Sequence, residues 1–93
     1  MPYWGVGRLL TTQNVAYTGT AGTTSTAISL GVQKVRVYCT TDAFIKITVN
    51  PTATTSDAPI AAGSAEYFSC APGEKVSAIQ SSANGTLYVT EIS

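Results

Sequence analysis

Five carboxylates (Asp42, Asp57, Glu66, Glu74 and Glu91) and two cysteines (Cys39 and Cys70) are the side chains on which acid–base, nucleophilic or metal chemistry would have to rest. Hydrolytic chemistry needs a nucleophile beside a base, or two converging carboxylates. Asp42, Asp57 and Glu74 fall in turn-like segments, where acidic side chains cap local backbone. Glu66 and Glu91 lie on strand-like segments beside polar neighbours and are expected to face solvent or a partner's cation. There is no histidine, which removes histidine triads, histidine zinc sites and histidine pH switches. Two cysteines cannot complete a four-ligand zinc site. They permit one disulfide, but in a reducing compartment cysteines within apolar strands read as small buried hydrophobes. Gly5-Val6-Gly7 and the Gly19–Gly22 region lead into no expected helix and so lack the helix terminus that gives phosphate loops their anion affinity. Asn84-Gly85-Thr86 matches a glycosylation triplet, and Asn-Gly is equally a hairpin signal. The expectation is a chain that is not an enzyme, with no cofactor and no metal.

Composition narrows the choice further. Only 11% of the 93 residues are charged, five basic against five acidic, where an ordinary domain carries about 25%. Hydrophobic residues make up 44%, so the chain is not of the disordered class. Threonine and serine supply roughly a quarter of it. A neutral protein has little to keep its copies apart. Five scattered cations do not make the basic face that nucleic acid requires, and no apolar run approaches the ~20 residues of a membrane helix. Met1 to Leu10 lacks a basic leader and a continuous apolar run, and so reads as an arm rather than a signal peptide.

The elements that must position these side chains are strands. Val35, Val37 and Cys39 alternate with Lys34, Arg36 and Tyr38; Ala43, Ile45, Ile47 and Val49 alternate with Phe44, Lys46 and Thr48. Period two with β-branched residues is the mark of half-buried strands. The short Thr40-Thr41-Asp42 break between them suggests a hairpin. Pro51 to Gly63 reads as a loop pinned by Ile60, and Ala65 to Cys70 as a strand in which Tyr67 and Phe68 face opposite sides. Pro72-Gly73 has the residue order of a type II turn. Lys75 to Ser81 and Thr86 to Ile92 are strands joined by an Asn84-Gly85 hairpin, and Val15 to Tyr17 and Thr26 to Leu30 are weaker candidates. The expected fold is all-β: a small single-domain antiparallel β-sandwich, jelly-roll-like or Ig-like, of six or seven strands. It spans residues 11–93 behind an extended N-terminal arm, residues 1–10. Val35, Val37, Ile45, Ile47, Val76, Leu87 and Val89 are the expected core.

The phrases at 31–47 (GVQKVRVYCTTDAFIKI), 65–68 (AEYF), 72–80 (PGEKVSAIQ) and 85–91 (GTLYVTE) together resemble small structural proteins of tailed-bacteriophage particles. The resemblance implies a head-decoration or cement protein on the capsid exterior, made in the host cytoplasm and commonly a β-rich trimer. Its partners would be the major capsid protein and further copies of itself, with no nucleic acid and no membrane. Tyr3, Trp4 and Arg8 of the arm are then candidates for capsid contact, and Arg36, Tyr38, Phe44, Lys46 and Glu66 for subunit interfaces. Aromatic side chains on outward strand faces are equally the equipment of a carbohydrate- or receptor-binding module of a head fibre or tail, which is the alternative expectation.

Overall fold

A computed structural model describes residues 9–92 and contains eight strands and, among those residues, no helix. They are β1 (Leu9–Tyr17), β2 (Gly22–Thr23), β3 (Lys34–Cys39), β4 (Ala43–Thr48), β5 (Ala58–Ile60), β6 (Ala65–Ser69), β7 (Lys75–Gln80) and β8 (Gly85–Ile92). One four-stranded antiparallel sheet has the order β1-β8-β3-β6 and the other β2-β7-β4-β5. The chain is folded in half: β1 pairs with β8, β2 with β7, β3 with β6 and β4 with β5. The β3–β8 and β4–β7 pairings then complete the two sheets. Eight strands in this order make a jelly roll, which decides between the two sandwich topologies expected above.

Turn signals located the chain reversals but not their kind. Of the consecutive strands only β4 and β5 share a sheet. Thr40–Asp42 therefore carries the chain from one sheet to the other instead of closing a hairpin, and Asn84-Gly85 does the same. Gly85 does not have positive φ; it is small because a Cβ there would collide with the Tyr17 and Thr41 hydroxyls. Pro72-Gly73 behaves as read, with Gly73 at φ +89° and Glu74 N–H donating to the Ala71 carbonyl at 3.2 Å.

Three further differences concern element boundaries. Val15 to Tyr17 is the end of a nine-residue strand that begins at Leu9, so Leu9 and Leu10 belong to the sheet. A short β5 lies inside the expected 51–63 loop, and Ile60 there is buried. Thr26 to Leu30 is not a strand: Ile28 is held instead by backbone bonds with Glu74 and Gly73.

The inner faces form one apolar core. Val35, Val37, Cys39, Leu87 and Val89 from the first sheet meet Ala43, Ile45, Ile60, Val76 and Ala78 from the second, with Tyr17 at one end. All seven expected core residues belong to it, Ile47 only partly buried. Glu91 departs from expectation. It lies opposite Val35 in the register and so enters the inner layer, 6% exposed. Its carboxylate accepts from the Ser29 N–H at 2.9 Å and the Ser29 hydroxyl at 3.1 Å, which is how a buried charge is tolerated.

Candidate functional site

The outward phase of the first sheet collects three of its five rings, Tyr38, Tyr67 and Tyr88, while Tyr17 and Phe68 turn to the core. Residues directly opposite on neighbouring strands share a face. Tyr38 on β3 lies opposite Tyr88 on β8, and Arg36 lies between Thr90 on β8 and Tyr67 on β6. The Tyr38 and Tyr88 rings are 6.1 Å apart and tilted by 57°, a separation within the range of favourable aromatic pairs. The Arg36 guanidinium carbon stands 5.9 Å from the centre of the Tyr38 ring, within cation–π reach. Thr12 on β1 closes the row through a 2.8 Å hydroxyl–hydroxyl bond to Thr90. Leu9, Thr12, Arg36, Tyr38, Thr40, Tyr88 and Thr90 line an open concavity of about 600 Å³. Tyr67 stands beside it, 47% exposed. Rings and an arginine framed by hydroxyls are the residue types that carry binding energy at interfaces.

A second concavity, about 450 Å³, lies where β5 and β6 edge their sheets on the same flank of the sandwich. Asp42, Phe44, Pro59, Ile60 and Glu66 are among the residues that line it. The five interface candidates therefore separate. Arg36 and Tyr38 share the first concavity, Phe44 and Glu66 the second, and Lys46 is exposed on the second sheet. Tyr3, Trp4 and Arg8 lie outside the described residues. Tyr88, Thr90 and Thr12 are absent from the sequence-based site candidates, although Tyr88 and Thr90 alternate with the apolar Leu87 and Val89 along β8. Only the pairing of β8 with β3 brings them to Arg36 and Tyr38.

Most carboxylates have structural duties. Asp42 accepts from Ala62 N–H at 2.8 Å, Asp57 from Thr54 N–H at 2.7 Å, Glu74 from Ala71 N–H at 2.8 Å, and Glu91 from Ser29. Glu66 alone makes no hydrogen bond or ion pair among the described residues, and Arg36 makes no such bond beyond its place over Tyr38. Those residues contain no group of three or more histidine, cysteine or acidic side chains that could hold a metal ion. Both cysteines are free thiols. Burial pushes Cys39 up to about 11, partly opposed by the Tyr17 hydroxyl. Burial also raises Cys70, and the nearby Glu74 and Glu91 charges add to the effect. Raised thiols are poor nucleophiles at neutral pH. No helix of the described residues is long and apolar enough to cross a membrane. No family model, no curated protein and no solved structure matches the chain.

Proposed function

We propose that this chain is a non-enzymatic structural protein of a bacteriophage virion that binds the outside of the capsid, cements neighbouring major capsid subunits and works as a homo-oligomer, a trimer. The observation that carries the reading is the outer face of the first sheet, where Tyr38, Tyr67, Tyr88 and Leu9 surround Arg36 in a chain with very little charge. Contiguous exposed apolar surface of this kind marks an interaction site. The phrase-level resemblance supplies the virion context, and jelly rolls are a frequent architecture of viral capsid domains, although fold by itself selects no function. A clamp of this kind works by repeating a modest contact at many symmetry-related positions.

The test is to measure assembly state by light scattering and occupancy on empty shells by cryo-EM, for the wild type and a Tyr38→Ala/Tyr88→Ala double variant. The reading expects an oligomer that decorates the shell and a variant that loses either property. A wild type that stays monomeric and leaves shells bare refutes it. The same tyrosine floor and threonine rim also suit a sugar ring, so retention on a glycan array, abolished by the double variant, would favour the fibre or tail binding module instead.

A further inference from the structure

Four of the five carboxylates are held by backbone N–H groups of their own chain, which leaves Glu66 as the one acidic side chain with no hydrogen bond or ion pair among the described residues. Arg36 is its natural complement: a half-buried arginine set among tyrosines, with no ion pair to a carboxylate among the described residues. The two cannot meet across their own sheet. Glu66 lies opposite Val37, on the inward phase, whereas Arg36 lies opposite Tyr67 on the outward phase. Their side chains leave the sheet on opposite sides, one into the flank concavity and one into the tyrosine concavity.

We propose that the occupant of the tyrosine concavity is a second copy of this chain, whose β6 flank delivers Glu66 to Arg36. The inference rests on the oligomeric reading above and names the surfaces that would make it. Because the two patches differ and face different ways, the contact is head-to-tail, and such contacts build closed rings or open filaments rather than isolated two-fold dimers; the trimer proposed above is the closed case. Each subunit then gives Glu66 to one neighbour and takes the Glu66 of the other. Tyr38, Tyr67 and Tyr88 shield the ion pair from water, which strengthens it relative to an exposed surface pair.

Charge reversal tests this in the full chain. Arg36→Glu, Glu66→Arg and the double swap are compared with the wild type by sedimentation velocity over a concentration series, with circular dichroism as the control for folding. Among the described residues neither wild-type side chain makes a hydrogen bond, so none of the three variants breaks one there. Each single reversal sets like charges together and weakens association by about tenfold or more. The double swap restores the opposite pair and recovers most of the loss. An oligomeric wild type whose association either single reversal leaves unchanged, or whose loss the double swap fails to recover, overturns the assignment while the oligomeric reading stands. A wild type that is monomeric throughout overturns both.

Discussion

Replacing Gly85 by alanine probes the corner where the chain crosses from β7 to β8. The added methyl would lie 2.5 Å from the Tyr17 hydroxyl and 2.7 Å from its ring carbon Cζ, against the 3.4–4 Å of ordinary contact, with the Thr41 hydroxyl also in its way. The ring has nowhere to retreat. Tyr17 is 1% exposed. Its hydroxyl lies 2.8 Å from both the carbonyl and the hydroxyl oxygens of Thr41 and accepts from the Thr41 N–H at 3.2 Å. Overpacking of this kind costs about 1–3 kcal/mol, and each kcal/mol lowers Tm by roughly 4–8 °C in a domain of this size. Tyr17→Phe unties the ring and loses hydrogen bonds worth about 1 kcal/mol each. An untied ring can yield to the methyl, so the double variant is expected to lose less than the two singles together, by at least about 0.5 kcal/mol. Urea unfolding at one fixed protein concentration measures all four proteins, since assembly would otherwise shift apparent stability. Additivity to within about 0.3 kcal/mol, or a neutral Gly85→Ala, would sink the packing argument and return Gly85 to the role of an ordinary turn glycine.

Three other outcomes are expected. Leu87→Ala, at a fully buried core position, destabilises by about 2–5 kcal/mol, whereas Leu30→Ala, at a side chain 92% exposed, stays within about 0.5 kcal/mol of wild type; thermal melts of the pair check both. Gly73→Ala places a Cβ in open space but at φ +89°, so it costs about 1–2 kcal/mol of conformational strain without any steric addition. Cys39 titrates near 9.0 when unfolded and near 11 in the fold, so its contribution to stability is complete below about pH 9 and is lost as the pH rises toward about pH 11. Denaturation across that window should show a decline that is shallower in a Cys39→Ala variant, whose baseline stability is lower at every pH.

What was legible in the sequence is what is local. Alternation of Val35, Val37 and Cys39 with Lys34, Arg36 and Tyr38 reports which side chains turn inward, because strand phase is a property of a few consecutive residues. Sheet membership is not local. Thr40–Asp42 and Asn84-Gly85 have the composition of hairpin turns, yet each joins strands of different sheets, and nothing within a three-residue window distinguishes the two. The same gap explains Glu91, whose polar neighbours suggested solvent while its register opposite Val35 buries it. It also explains the site. Arg36 and Tyr38 could be read from β3 alone, but Tyr88, Thr90 and Thr12 join them only through strand pairing across half the chain.

The folded-in-half topology also sets a timetable. β1 finds its in-sheet partner only in β8, the last of the eight strands to leave the ribosome. At ~5–20 residues per second that interval is on the order of several seconds. Throughout it, Leu-Leu-Thr-Thr-Gln-Asn-Val-Ala-Tyr is an uncharged, proline-free and glycine-free stretch of nine residues with no sheet to join, the kind of segment that seeks strands on other nascent chains. Only β4 and β5 pair as consecutive strands, so every other pairing joins distant parts of the chain, which makes for slow, non-local folding. Yield in production should therefore respond more to translation rate and chaperone supply than to substitutions that raise the stability of the finished sandwich.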